Sequence, residues 1–132
     1  MSSNTRILVI DDEKGMRDIL YKTFKAWGYQ VEVAEKAKKG IHKLRNNHFD
    51  VVLLDVVIPQ EEFEDNFRAI TRCNPRISII IITALPPLLV EGLCDEDIKH
   101  GTTEVIYKPF KLKKLIFSIE KLSEQRGMEK IS

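Results

Sequence analysis

The polar residues that could do chemistry in this chain stand at or within short apolar runs. Asp11 and Asp12 follow the first run, Asp55 interrupts the run VVLLDVVIP, and Thr83 and Lys108 follow two later runs. An ionised side chain among apolar neighbours carries a large desolvation cost unless it is paired or coordinated. Clustered carboxylates suit Mg²⁺ or Mn²⁺, and a hydroxyl with an ammonium suits the oxygens of a phosphoryl group.

Each of these residues alone has a simpler structural explanation. Asp11 and Asp12 would serve as caps of a following helix. Thr83 would be a β-branched strand end, and Lys108 a solvated loop charge. Three carboxylates gathered at one place repel one another, however, and such a cluster needs a cation. The set is therefore far more specific than any of its members.

The elements that must position these residues alternate between strands and helices. Five β-branched apolar runs of strand length lie at residues 7–10, 31–34, 51–54, 77–83 and 103–107. Most of them do not alternate with polar residues, which indicates strands buried on both faces of a parallel sheet. Apolar residues at three- and four-residue steps predict five helices, one of them within residues 84–101.

The helical periodicity also predicts which side chains are buried. The stripes are Met16, Ile19, Leu20, Phe24 and Trp27 in the first helix; Ala37, Ile41 and Leu44 in the second; Phe63, Phe67 and Ile70 in the third; and Leu112, Leu115, Ile116, Ile119 and Leu122 in the last. Gly28 is expected to end the first helix. We expect Trp27 to anchor that helix in the core.

Alternating strands and helices require βαβ crossovers. We therefore expect an α/β fold: a doubly wound, five-stranded parallel sheet with five helices and the flavodoxin-like strand order 2-1-3-4-5. In that order strands one, three, four and five lie side by side, so the polar residues at their carboxyl ends share one crevice. Asp55 is then tolerated because it tops a strand and faces a polar pocket.

Length and composition limit the classes of function. The 132 residues suffice for one domain with a real core, which we place at residues 6–126, between a disordered N-terminus (1–5) and a C-terminal tail (127–132). The formal net charge of +1 gives no general attraction to nucleic acid. Two widely spaced cysteines favour reduced thiols, and no apolar stretch approaches a membrane span. A cytoplasmic protein is expected.

Four stretches carry a resemblance to a known family: RILVIDDE, FDVVLLDVVIP, IIIITA and YKPF, in this order along the chain. From about residue 6 to about residue 126, the chain resembles the receiver domains of bacterial two-component response regulators, of the chemotaxis-regulator type. The resemblance implies that Asp55 accepts a phosphoryl group from a histidine kinase or a phosphotransfer protein. It also implies that Asp11, Asp12, Asp55 and the backbone carbonyl of Val57 hold Mg²⁺ or Mn²⁺.

The same resemblance assigns the remaining site residues. Thr83 matches the hydroxyl that moves toward the phosphoryl group, and Lys108 matches the lysine that pairs with it, commonly before a cis bond to proline, here Pro109. The switch residues would be Thr83 and Val105. Asp55, Thr83 and Lys108 would promote phosphorylation and dephosphorylation of the domain itself, as a signalling protein rather than an enzyme.

The implied partners are an upstream kinase and an unknown downstream protein. The downstream protein is expected to contact the predicted fourth helix, the fifth strand and the last helix, where Phe117 would be an exposed apolar residue. No direct contact with nucleic acid or membrane is expected. The resemblance also allows a homodimer to form on phosphorylation.

Several positions depart from the family pattern and leave an alternative open. Val105 stands where the family usually has an aromatic residue, and Phe63 stands where a glycine is usual. Val57 and Leu85, which would flank the path of an attacking water, are apolar. The alternative is a phosphorylation-independent interaction module that keeps only the fold. A phosphatase of the haloacid-dehalogenase type is rejected, because its general acid would fall at Val57.

Overall fold

The computed structural model describes residues 4–56, 60–85 and 103–131. They contain a five-stranded parallel sheet in the order β2-β1-β3-β4-β5, which confirms the predicted topology. The strands are β1 (Arg6–Ile10), β2 (Gln30–Ala34), β3 (Val51–Val56), β4 (Ser78–Thr83) and β5 (Thr103–Tyr107). The order places β2 at one edge, so the carboxyl ends of the other four strands lie side by side.

The third strand is longer than its apolar run suggests. β3 continues through Asp55 to Val56, because β4 offers backbone partners that far: Asp55 pairs with Ile82 and Val56 with Thr83. The prediction that the strand ends at residue 54 is therefore wrong by two residues. Hydrogen bonding to a neighbouring strand, which the apolar pattern does not report, decides where a strand ends. Asp55 is consequently the last residue but one of β3 rather than the first residue after the strand.

Four helices lie in the described part of the chain and cover both faces of the sheet. They are α1 (Lys14–Ala26), α2 (Ala37–Asn46), α3 (Gln60–Cys73) and α4 (Leu112–Ile131). Leu20 and Phe24 of α1 pack on one face of the sheet together with four residues of the α4 stripe: Leu115, Ile116, Ile119 and Leu122. The predicted burial of Leu112 is wrong, since this residue is 37% exposed. Ile41 and Leu44 of α2 and the α3 stripe pack on the other face. None of these helices is both long and apolar enough to cross a membrane.

Two predictions concern the helix before β5 and the end of the last helix. The helix predicted within residues 84–101 falls almost wholly outside the described residues. The tail predicted from residue 127 is wrong for the backbone, since α4 continues to Ile131. The residues that follow Gly127 include Met128, Glu129 and Lys130, which are good helix formers, so the glycine, which loses roughly 1 kcal/mol relative to alanine, does not end the helix.

The predicted core position of Trp27 is wrong. Its side chain is 50% exposed, and Ile19 of the same stripe is 51% exposed. Helix α1 ends here: the Gly28 N–H donates to the Lys25 carbonyl, the Tyr29 N–H donates to the Phe24 carbonyl, and Gly28 has a φ of 92°. This C-terminal turn directs the chain into β2, and Tyr29, not Trp27, becomes the buried aromatic residue.

Helix α2 approaches β1 closely at Gly40. A Cβ atom at this glycine would overlap Ile10 Cδ1 and would lie 2.7 Å from Ile10 Cγ1. Both residues are buried, so the space for any extra atom is small. Gly40 therefore sets the distance between α2 and the strand that leads into Asp11.

We expect Gly40→Ala to lower the free energy of unfolding by about 1–2 kcal/mol, because overpacking costs about 1–3 kcal/mol and the helix propensity of alanine returns at most about 1 kcal/mol. Urea denaturation measures the change. Gly15→Ala is the matched control, since its Cβ would meet only Glu13 Oε1 at 3.8 Å. Adding Ile10→Val to Gly40→Ala should recover part of the loss. A Gly40→Ala protein as stable as the Gly15→Ala protein would contradict this account.

Candidate functional site

Three carboxylates meet at the carboxyl edge of the sheet. Asp11 and Asp12 follow β1, Asp55 lies near the end of the adjacent β3, and one oxygen from each lies within 4.8 Å of the others. Asp11 is only 2% exposed, the Asp55 side chain is 5% exposed, and Asp12 lies at the surface. The structure thus brings together the acidic residues that the sequence analysis grouped.

The backbone around Asp11 holds its carboxylate in place. The Asp11 N–H donates to the Ala34 carbonyl, and Arg17 Nη1 donates to the Asp11 carbonyl at 2.8 Å. Asp11 Oδ1 accepts a hydrogen bond of 2.9 Å from the Glu13 N–H. Asp11 Oδ2 is buried, and no donor from the described residues reaches it. A buried, unpaired carboxylate oxygen beside two further carboxylates fits a bound divalent cation.

The surroundings of Asp11 shift the pKa of its carboxyl group. Burial, and then the charge of the neighbouring Asp55, raise the pKa of Asp11 from 3.8 to about 6. The hydrogen bond from Glu13 and the charge of Lys108 act in the opposite direction but are outweighed. The ionised form of this carboxyl group is therefore disfavoured unless a positive charge is supplied.

Lys108 supplies one positive charge to the cluster. Its Nζ lies 3.0 Å from Asp55 Oδ1, and both side chains are largely buried. The contact is an ion pair rather than a well-aligned hydrogen bond, since Asp55 Oδ1 has no hydrogen-bond partner of good geometry within the described ranges. The Lys108 N–H donates to the Thr83 carbonyl at 2.7 Å, and the peptide bond from Lys108 to Pro109 is cis, as the family resemblance implied.

Thr83 is close to the cluster, but its hydroxyl is engaged elsewhere. Thr83 Oγ1 donates to the Val56 carbonyl at 2.9 Å and accepts a hydrogen bond of 3.0 Å from the Leu85 N–H. The residue is completely buried. In this conformation the hydroxyl joins two backbone groups, one next to Asp55 and one in the segment that leaves β4. To reach a phosphoryl group on Asp55, it has to give up the bond to Val56.

Of the two other residues that the sequence analysis named, the structure describes one. Val105 lies in β5, half-buried, and its side chain packs with Leu85 against the core under α2 and α3. The expected metal ligand at Val57 lies outside the described residues. The sequence analysis did not name two groups that contribute to the site. Arg17 could have been found, because it lies in the first turn of the helix that follows Asp11 and Asp12. The Val56 carbonyl could not, because no side-chain pattern indicates a backbone group.

Comparisons with known proteins identify a family for this chain. The family model described as "Response regulator receiver domain" matches residues 7–120. The chain therefore belongs to the response regulator receiver domain family. These receivers are signalling domains, and phosphorylation and Mg²⁺ binding are general features of the family.

Proteins with similar sequences include two transcriptional regulatory proteins. Transcriptional regulatory protein ZraR of Klebsiella oxytoca is 30% identical over 124 residues, which are 93% of this chain and 27% of that protein. Transcriptional regulatory protein RprY of Bacteroides fragilis is 29% identical over 122 residues, 91% of this chain and 50% of that protein. This chain therefore spans half or less of the length of these two relatives.

Among solved structures, a CheY-like response regulator receiver domain protein from Methanospirillum hungatei JF-1 is similar to this chain. It has a TM-score of 0.78 and 28% sequence identity, with 96% of this chain and 99% of that chain covered. A response regulator receiver domain protein from Clostridium thermocellum has a TM-score of 0.80 and 26% identity, over 94% of this chain and 98% of that one.

The raised pKa of Asp11 predicts how the free energy of unfolding depends on pH when no divalent cation is bound. Because the folded pKa of about 6 exceeds 3.8, the folded protein holds this proton more tightly than the unfolded chain. The contribution to stability is present below about pH 4 and is lost as the pH rises through about 6. In EDTA at pH 7, we expect Asp11→Asn to raise the free energy of unfolding by roughly 1–3 kcal/mol.

Chemical denaturation at pH 7 and pH 4.5, with and without Mg²⁺, measures this effect. Asp11→Asn should be more stable than the wild type in EDTA, by less at pH 4.5, and should gain little from Mg²⁺. Asp18→Asn, an exposed position on α1, is the control and should change little in any condition. An Asp11→Asn protein that is less stable than the wild type in EDTA would show that the carboxylates are not in conflict.

Proposed function

We propose that this domain accepts a phosphoryl group on Asp55 in a Mg²⁺-dependent reaction and signals by changing a partner-binding surface. The donor is the phosphohistidine of a sensor histidine kinase or a phosphotransfer protein. The observation that carries the proposal is the position of Asp55, a nearly buried carboxylate paired with Lys108 beside two further carboxylates. Membership of the response regulator receiver domain family supports the same chemistry.

The side chains divide the work of the transfer. An oxygen of Asp55 attacks the phosphorus in line with the bond to the leaving group, and Lys108, already 3.0 Å from Asp55 Oδ1, pairs with an oxygen of the new phosphoryl group. A bound Mg²⁺ (or Mn²⁺), held by Asp11, Asp12, Asp55 and the Val57 carbonyl, would neutralise charge on the transferred group. Attack of a carboxylate on phosphorus releases no proton, so it needs no general base.

The signal would leave the site through Thr83. When its hydroxyl turns to the phosphoryl group, the Val56 carbonyl and the Leu85 N–H both lose their partner. An unpaired buried backbone group costs about 1–3 kcal/mol, so the backbone at Val56 and Leu85 would have to rearrange. Val105, which packs against the same core cluster as Leu85, would respond to this rearrangement, although it lacks the ring that the family usually has there.

A downstream protein would read this change on β5, the last helix and the predicted helix before β5. Phe117 of α4 is 66% exposed, as the periodicity predicted. Lys121 of α4 pairs with Glu104 of β5 at 2.9 Å, which ties these two elements together. We place this exchange in the cytoplasm and, on the net charge of +1, assign the chain protein partners rather than DNA. Phosphorylation would also allow a homodimer to form.

The first test is phosphorylation itself. Incubation with acetyl phosphate and Mg²⁺ should add one phosphoryl group to the intact mass of the protein, and EDTA should prevent it. Asp55→Asn should abolish the gain, because the nucleophile is removed, and Asp12→Ala should slow it by roughly tenfold or more, since one charge-assisted metal contact is lost. Asp65→Asn, at an exposed position of α3, is the control. A wild-type mass that never changes would favour the interaction module that needs no phosphorylation.

A second test concerns Thr83. Thr83→Val keeps the shape but removes the hydroxyl, so we expect Asp55 to be phosphorylated within about tenfold of the wild-type rate. Stability should fall by about 1–3 kcal/mol, because two buried backbone groups lose their partner. The amide shifts that phosphorylation causes in β5 and α4 should largely disappear, whereas Thr83→Ser should retain them. Full shifts in the Thr83→Val protein would show that the signal takes another route.

A further inference from the structure

The acidic cluster opens into a cleft that is much larger than a metal site. The cleft has a volume of about 600 Å³ and extends from Asp11, Asp12 and Asp55 into the space between α2 and α3. A water molecule takes up about 30 Å³, so a hydrated cation and a phosphoryl group leave most of this volume unused. Small-molecule sites have volumes of about 300–1,000 Å³. The cleft therefore has room for an organic ligand.

The part of the cleft between the two helices is apolar. Ile10, Ile41 and Leu54 form its floor and are buried. Ala37 of α2 and Ala69 of α3 line its walls, and their small side chains leave the space between the helices open. Transfer of an apolar group from water to such a surface is favourable. A ligand that fits has an apolar body.

The end of the cleft at the sheet edge is negatively charged. The amino-terminal end of α2 lies beside the acidic cluster, because the Asp11 N–H donates to the Ala34 carbonyl at the end of β2. The carboxylates that line this end are Asp11, Asp12, Glu35, Asp55 and Glu62. Lys36 and Lys38 line it too, but both are exposed and screened by solvent. The charge stays negative when Lys108 is counted as well.

The opposite end of the cleft carries a positive charge. Arg45 lies eight positions after Ala37 on α2, about 12 Å further from the acidic cluster for a helix that rises 1.5 Å per residue. Among the described residues that line the cleft, it is the one charged side chain at this end. The two ends of the cleft therefore favour groups of opposite charge.

The acidic end also has an acceptor without a donor. Asp11 is 2% exposed, and no donor from the described residues reaches its Oδ2 atom. One oxygen from each of the three aspartates lies within 4.8 Å of the others. An ammonium group has three N–H donors and one positive charge, so it suits this cluster as a divalent cation does. The two cannot occupy the cluster together.

We propose that the cleft between α2 and α3 binds a zwitterionic ligand with a primary ammonium group at one end, an apolar chain and a carboxylate at the other end. The ammonium group contacts Asp11, Asp12 and Asp55. The chain lies over Ile41, and the carboxylate pairs with Arg45. Binding excludes the divalent cation. The binding site itself is independent of the proposed function, whereas inhibition of phosphorylation by this ligand rests on it.

The first experiment measures binding to the wild-type protein in EDTA by calorimetry, with 8-aminooctanoate, 4-aminobutanoate, octylamine and octanoate as probes. Each buried methylene is worth a factor of about three to four, so 8-aminooctanoate should bind at least about tenfold more tightly than 4-aminobutanoate. Octanoate lacks the ammonium group and should bind at least about tenfold more weakly than 8-aminooctanoate. Octylamine lacks only the exposed ion pair and should bind about twofold to fivefold more weakly. Saturating Mg²⁺ should displace 8-aminooctanoate.

Variants locate the ligand, and a Mg²⁺ titration of each one verifies that its acidic cluster has formed. Ala69→Leu fills the cleft and should weaken binding of 8-aminooctanoate by about tenfold or more, since the buried methylenes lose their place. Ala37→Leu does the same from the opposite wall and replaces Ala69→Leu if that protein does not fold. Arg45→Glu should reverse the order of 8-aminooctanoate and octylamine. Ala26→Leu, at an exposed position of α1 outside the cleft, is the matched control and should bind as the wild type does.

The outcomes separate this inference from the proposed function. Binding of 8-aminooctanoate that Mg²⁺ and Ala69→Leu both weaken supports the inference, even if Asp55 is never phosphorylated and the proposed function fails. If Asp55 is phosphorylated, 8-aminooctanoate should slow the reaction with acetyl phosphate. The inference is overturned if no amine binds, if octanoate binds as tightly as 8-aminooctanoate, or if binding survives both cleft-filling variants.

Discussion

The parallel register of the sheet is the constraint on which the site depends. Because β1, β3, β4 and β5 are adjacent and run in the same direction, their carboxyl ends meet at one edge, and groups far apart in the chain become neighbours. A shift of one residue between two strands would turn every side chain to the opposite face. The register of β3 with β4 is held by pairs of large apolar residues such as Leu54 and Ile81. The apolar core therefore sets the geometry of the polar edge.

That edge is electrostatically unfavourable without a cation. Three carboxylates lie within 4.8 Å of one another, two of them nearly buried, and Lys108 balances only one of the charges. Burial, and then the charge of Asp55, raise the pKa of Asp11. A divalent cation would relieve this conflict by adding positive charge, and it would also offset the negative charge of a phosphoryl group on Asp55. An affinity of the site for a divalent cation and a lower stability in its absence would have the same physical origin.

The two faces of the sheet carry different parts of the proposed signal. Strand alternation puts Asp55 on the face of Leu53, which packs under α1 and α4, and puts Thr83 on the face of Ile81, which packs under α2 and α3. The hydroxyl of Thr83 bridges from its own strand to the backbone next to Asp55. Leu85 and Val105 pack on the same side as Thr83. A change at Asp55 can thus reach the opposite face through one hydrogen bond.

The sequence by itself determined the strands, the buried stripe of α3 and the set of polar residues at the sheet edge. It could do so because β-branched runs, helical periodicity and residue order are local properties. Only the tertiary structure decided that β3 extends past Asp55, that Trp27 is exposed, that Thr83 bonds to the Val56 carbonyl, and that α2 and α3 leave a cleft. Each of these depends on which atoms of a distant segment lie opposite a given residue. A periodic pattern shows which face of an element is apolar, but it does not show what covers that face.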